Sequence, residues 1–325
     1  MPFIDARGVR LYYEIHGRAL RPTDLPLLLI AGLGFATWCW FKQLPVLGQH
    51  YAIIVFDNRG SGRSEKPPHL YDVATLADDA AALLTALGVP RAYVLGTSLG
   101  GFIAQELALR HPERVARLIL CSTSFGGPRS IPMRWPVLKA TLGWGAPTRA
   151  LAIRKGLEVA TSRAYRQACA DELERIIGWR QHDQLQPSDY FRQVLAGVRF
   201  DAARRVQAIA APTLVIHGAE DRVVPVANAV LLAQTIPRAR LRIINGAGHL
   251  VFIERAAEVN RAILAFLGAG PPGGRAGARR AGRWPTRRWQ WLRSSSRTPA
   301  HFLAGWWRRA QALLASVARQ LRRRF

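Results

Sequence analysis

Lysine is nearly missing from this 325-residue chain: Lys42, Lys66, Lys139 and Lys155 are the only four. Arginine carries the remaining positive charge, a bias that fits a GC-rich genome better than any particular ligand. Cysteine is as scarce. Cys39, Cys121 and Cys169 are an odd, sparse set that excludes a disulfide framework and suits a reducing compartment. No apolar run is long; the longest, residues 25–31, is too short to cross a bilayer. The first residues lack the basic-then-apolar pattern of a secretory signal. A soluble, cytoplasmic protein is therefore expected. Acidic residues vanish from residue 270 onward, where fourteen arginines stand without a lysine, Asp or Glu. The net charge of +25 thus divides: the first 269 residues hold all 21 acids and carry only +11.

Hydrophobic residues make up 49% of the chain, ample for a large core. Buried-strand signals recur at residues 27–31, 52–56, 93–95, 115–121, 213–217 and 241–244. Helical periodicity lies between them, as in residues 72–87, where Asp72 can cap the start. Val9, Leu11, Tyr13 and Ile15 alternate with polar residues and read as a half-exposed strand. Alternating buried strands and helices predict an α/β fold, a doubly wound and mostly parallel sheet. Ligands of such sheets bind beyond the C-terminal strand ends. The alternation fails over residues 124–205, where helical spacing covers 151–163, 164–177 and 190–198. Residues 1–123 and 206–269 are expected to form the core, with 124–205 a helical cap inserted after the sixth strand.

The central stretch is Gly96-Thr97-Ser98-Leu99-Gly100, a G-x-S-x-G pattern between a predicted strand and a predicted helix. So tight a turn strains the serine backbone, and side chains two positions either side would collide with strand and helix. The turn lifts the Ser98 hydroxyl off the sheet and aims the Leu99 N–H, at a helix N-terminus, in front of it. A serine hydroxyl is a weak nucleophile near neutral pH and needs an adjacent base, itself oriented by a carboxylate. Among eight histidines, only His249 sits in a glycine-rich loop directly after a predicted sheet strand. His217 reads as a structural strand end. Asp221, after the strand at 213–217, is the expected acid, because Val223-Val224-Pro225 fix its turn; Glu220 is the competitor.

The order Ser98, Asp221, His249 is that of the α/β-hydrolase fold. Residues 1–269 resemble that family through Gly32-Leu33-Gly34, Asp57-Asn58-Arg59-Gly60-Ser61-Gly62-Arg63-Ser64, Gly96 to Gly101, Asp221 and Gly248-His249. Within it, His111-Pro112-Glu113-Arg114-Val115 and the short cap are most similar to 3-oxoadipate enol-lactonases and small carboxylesterases. The resemblance implies that the Leu33 N–H is the second oxyanion donor beside Leu99, although Ala31 stands where many relatives have histidine. It implies a serine hydrolase cleaving a carboxylic ester or lactone through an acyl-enzyme on Ser98. A C–C bond hydrolase, an acyltransferase, a cofactor-free haloperoxidase and a non-catalytic binding protein on the same scaffold stay open. Phe35 and Trp38 are expected to line an apolar acyl or alcohol pocket, a core role for that aromatic cluster staying open. Asp57 and Arg59 are expected to form a buried ion pair. No cofactor is expected and no metal cluster is seen, and Gly60-Ser61-Gly62 lacks the lysine of a phosphate cradle.

Residues 270–299 read as a basic linker rich in Gly, Pro and Arg. Residues 300–325 show Trp306, Trp307, Leu313, Leu314, Val317 and Leu321 on one helical face and arginines elsewhere. That pattern predicts association with an anionic membrane surface. A protein partner is the second reading and nucleic acid the weakest.

Overall fold

The computed structural model describes residues 2–268 except Pro22 and Gln184, so both tail expectations lie outside the described residues. Eight strands form one sheet: β1 (Phe3–Asp5), β2 (Arg10–Gly17), β3 (Leu27–Ile30), β4 (Ala52–Phe56), β5 (Ala92–Thr97), β6 (Val115–Cys121), β7 (Thr213–Gly218) and β8 (Ala239–Ile244). Their spatial order is β1-β2-β4-β3-β5-β6-β7-β8. β1 and β2 are antiparallel and every later pairing is parallel. β3 and β4 are buried at every position, as strands covered on both faces must be. Alternate side chains feed two cores. Leu28 and Ile30 pack with α2 (Val73–Ala86), α3 (Leu99–Arg110) and α9 (Ala227–Thr235). Leu27 and Leu29 pack with Trp40, α1 (Leu44–Leu47), Phe252 and α11 (Ala256–Leu267).

The register sets the working edge. Ile30 pairs with Gly96, Thr97 with Cys121, and Cys121 with Ile216, so the strands end level. β4 and β5 lie on opposite sides of β3. The loops after β3 and β5 therefore diverge at a topological switch point, where such sheets hold ligands.

Between β6 and β7 lie α4 (Trp135–Thr141), α5 (Arg149–Ala160), α6 (Arg163–Ala168), α7 (Ala170–His182) and α8 (Pro187–Arg199). The helix expected over 164–177 is broken at Cys169, which adopts φ −130° and ψ 42°. Residues 251–267 likewise form two helices, α10 (Val251–Glu254) and α11, separated by a non-helical Arg255. The break frees carbonyls that side chains distant in the chain supply with new donors. Lys42 donates to the Ile253 carbonyl at 3.2 Å and Gln43 to the Phe252 carbonyl at 2.6 Å.

The expected Asp57–Arg59 pair does not form. Asp57 Oδ1 accepts the Thr37 N–H (2.7 Å) and Oδ2 the Arg63 N–H (2.8 Å), so that carboxylate ties two loops by their backbones. Burial pushes its carboxyl up to about 6, with those hydrogen bonds pulling the other way. Arg59 instead reaches Asp79 on α2 through both Nε and Nη2, a two-pronged pair among buried groups. Removing one partner leaves the other charge buried and alone. Arg59→Met is expected to lose about 3–5 kcal/mol in urea denaturation. The double variant Arg59→Met/Asp79→Leu should recover much of that loss.

Candidate active site

β5 ends at Thr97, and the chain turns into α3 through Ser98 at φ 53° and ψ −118°. That left-handed conformation is costly for a residue with a Cβ. It is held from several sides. The Ser98 N–H donates to the Cys121 carbonyl at 3.0 Å, and the Ser98 carbonyl accepts the Gly101 N–H at 2.9 Å and the Thr123 hydroxyl at 2.8 Å. The flanking glycines are required by close approach. A Cβ on Gly96 would strike the Gly100 carbonyl, and one on Gly100 would strike the Ile30 carbonyl. The loop after β3 presses on the same turn: a Cβ on Gly32 would lie 3.2 Å from that of Ser98. The N–H groups of Leu33 and Leu99 find no acceptor among the described residues.

Asp221 follows β7 and is buried. Its Oδ1 accepts the N–H groups of Val223 (2.9 Å) and Val224 (2.8 Å), which fixes the turn. Its Oδ2 lies 2.8 Å from His249 Nδ1 and 3.0 Å from His217 Nε2. Burial opposes charge on this carboxyl, but His249 and the hydrogen bonds from both imidazoles outweigh it and hold it down at about 2. Glu220 is exposed and faces no such partners. With Nδ1 engaged by a carboxylate, Nε2 is the His249 nitrogen left to accept a proton.

The His249 loop is fastened from below by Glu254. Its carboxylate accepts the Gly248 N–H at 3.0 Å and the Ser162 N–H at 2.9 Å, and Leu250 N–H donates to the Ala160 carbonyl at 3.1 Å. The loop that carries the imidazole is therefore joined to the segment linking α5 and α6. Burial raises the Glu254 carboxyl above its ordinary range, against the hydrogen bonds from Ser162 and Gly248.

Ser98 and His249 open onto one cavity of about 240 Å³. Leu33, Phe35 and Leu99 line its core side, and Leu138, Leu157, Arg180, Tyr190 and Val194 its insertion side. Of the two rings expected at a pocket, Phe35 lines the cavity and Trp38 does not: Trp38 donates its indole N–H to Asp183 at 2.8 Å and packs 5.6 Å from Trp179. The only ring of the adjacent aromatics at the cavity wall is thus Phe35, because Trp38 is needed to hold α7. His217, expected only as a structural strand end, meets Asp221, and Glu254 and Arg180 join the site without having been expected there. His217 stands four residues before Asp221 at a strand end, a spacing that marks it. The other two depend on contacts between distant segments, and nothing local signals them.

Residues 26–148 and 169–256 match the model of a family described as alpha/beta hydrolase fold. A protein of Caulobacter sp. (strain K31) that bears the provisional name carbamate hydrolase RutD is 30% identical, over 79% of this chain and 95% of its own. Among solved structures, a hydrolase from Pseudomonas aeruginosa PA01 is 32% identical, with TM-score 0.72, covering 82% of this chain and 98% of its own. The enol-lactonase from Burkholderia xenovorans LB400 is 29% identical, with TM-score 0.73, over 82% of this chain and 100% of its own. Sheet order, the serine turn and these likenesses agree, and the chain belongs to the alpha/beta hydrolase fold family.

Proposed function

We propose that the protein is a serine hydrolase that cleaves a carboxylic ester or lactone through an acyl-enzyme on Ser98. The observation that carries this reading is the buried Asp221–His249 pair, whose imidazole lines the same cavity as a serine held in a strained turn. His249 Nε2 takes the Ser98 proton as Oγ attacks the carbonyl carbon. The N–H groups of Leu33 and Leu99 receive the negative charge that develops on the carbonyl oxygen, each contributing about 3–4 kcal/mol to the transition state. Asp221 stabilises the imidazolium, which returns its proton to the leaving alkoxide. Water then repeats the sequence and releases the acid. The helices of residues 124–205 act as a cap that closes the cavity. Phe35 supplies apolar contact for the acyl or alcohol part. The similarity to an enol-lactonase supports a lactone or ester substrate, and the carbamate name of the Caulobacter relative adds a related carbonyl to the substrate panel.

A fluorophosphonate probe should label the protein and fail on Ser98→Ala. That variant should lose about 10⁴- to 10⁶-fold in kcat on p-nitrophenyl esters. Retained hydrolysis in Ser98→Ala would overturn the reading. Asp221→Asn should lose about 10⁴-fold in kcat with the cavity intact.

The depressed carboxyl of Asp221 also predicts a pH dependence. Its folded value of about 2 lies below the unfolded value of about 3.9, so the unfolded chain binds more protons in that window. The resulting stabilisation is fully present above the unfolded value and is lost as pH falls through the folded one. Denaturant unfolding followed down to about pH 2 should show a loss of about 2 kcal/mol from this group, which Asp221→Asn lacks.

A further inference from the structure

Among the described residues, Arg180, in the last turn of α7, is the one arginine or lysine lining the cavity, and no Asp or Glu lines it. No carboxylate lies within 4.0 Å of its guanidinium among the described residues. Arg59, Arg192 and Arg205, by contrast, each pair with a buried acid. The nearby Asp183 is held by the Trp38 indole N–H. Two opposite charges, on Asp183 and Arg149, act on Arg180. Its guanidinium carbon lies 5.0 Å from the centre of the Phe35 ring, and a Cβ on Gly34 would come within 2.8 Å of its Nη2. It thus reaches over the same loop that carries Leu33. Burial pulls its basicity down, with the Tyr190 hydroxyl and Asp183 in opposition.

The other polar groups at this wall are already engaged. Gln193 accepts the Gly34 N–H at 3.1 Å and donates to the Gly60 carbonyl at 3.0 Å and the Ser61 hydroxyl at 2.7 Å. The Tyr190 hydroxyl donates to the Thr141 carbonyl at 3.0 Å. Beyond the Tyr190 hydroxyl, Arg180 has no polar side-chain partner among the described residues, and its remaining donors open onto a largely apolar cavity. A charge in that position is unfavourable until an anion meets it. The planar fork of a guanidinium fits a carboxylate with two parallel N–H···O bonds.

Resting on the hydrolase reading above, we propose that Arg180 is a specificity-determining residue that binds a second, free carboxylate of the substrate. The substrate class is then a carboxylate-bearing ester or lactone, such as the monoester of a dicarboxylic acid. The scissile carbonyl sits at Ser98 and the free carboxylate lies toward α7. Because the lining holds no acid, cationic substrates gain nothing there.

The test compares p-nitrophenyl monoglutarate with p-nitrophenyl pentanoate, which has the same chain length without the charge. Wild-type protein should favour the anionic ester in kcat/KM by about 10- to 100-fold. Arg180→Met should erase that ratio mainly through KM of the anionic ester, and Arg180→Lys should keep part of it. Glutarate itself should inhibit wild type competitively and Arg180→Met far less. Equal rates on both esters in wild type, or an equal fall on both esters in Arg180→Met, would overturn the proposal and leave Arg180 as a brace between α7 and the Gly34 loop. Fluorophosphonate labelling of Ser98 in every variant separates the two failures: no labelling and no hydrolysis of either ester would instead remove the hydrolase reading on which this one rests.

Discussion

Four hydrogen bonds converge on the buried carboxylate of Asp221, and the rest of the candidate site takes its geometry from them. A lone carboxylate in such a place would be strongly disfavoured, so every acceptor position has to be met. The two backbone N–H groups at Oδ1 lock the turn after β7, and the two imidazoles share Oδ2. His217 Nε2 also faces the Val224 carbonyl at 2.8 Å, so both of its neighbours are acceptors and this nitrogen carries the proton. The opposite nitrogen, Nδ1, is buried without a partner among the described residues. An unmet buried nitrogen costs about 1–3 kcal/mol. The fold accepts that cost where it steadies Asp221, which places the requirement for a fixed acid above full satisfaction of the histidine.

A second constraint is crowding at the switch point between β3 and β5. Three backbones meet there: the turn at Ser98, the start of α3 and the loop after β3. Gly32, Gly96 and Gly100 let them touch, since each would meet neighbouring backbone or the Ser98 side chain with a Cβ in place. The same contact sets Leu33 and Leu99 beside Ser98 in the cavity lining. The strain at Ser98 and the place of these two residues thus have a common origin in how tightly the strands close.

This origin explains what could be read from the sequence. Strained turns and strand ends leave local marks, namely paired glycines, a serine between them, and a histidine or aspartate just after an apolar run. Ser98, Asp221 and His249 were legible for that reason, and so was the mostly parallel sheet. Interactions between segments far apart in the chain leave no such mark. Arg59 had an acid two residues away at Asp57, yet it pairs with Asp79 on the inner face of α2. The hint was available in the helical spacing, because Asp79 interrupts the buried stripe of Leu76, Ala80 and Leu83. Trp38 looked like a pocket residue because its ring neighbours Phe35 in sequence; its indole N–H needed an acceptor, and Asp183 in the inserted segment supplied one. A polar handle on an aromatic residue thus decided which ring meets the cavity.

The division of labour between core and insertion follows from the same accounting of partners. Serine, acid and histidine all sit on loops at the end of the sheet, while the insertion supplies much of the cavity wall. The two parts are nonetheless fastened where precision matters. Glu254 holds the backbone of the His249 loop and that of Ser162 with one carboxylate, and Gln193 on α8 holds the loops after β3 and β4 with one amide. Each is a single side chain bridging two backbones, so a shift of the insertion moves the loops of the candidate site with it. The break between α10 and α11 is part of this arrangement, since it lets Glu254 close a short turn back onto Gly248 while Lys42 and Gln43 take up the freed carbonyls. Side chains on the insertion that point into the cavity are therefore held in a fixed register with Ser98, which is the condition for a wall residue such as Arg180 to measure the distance between two groups of one substrate.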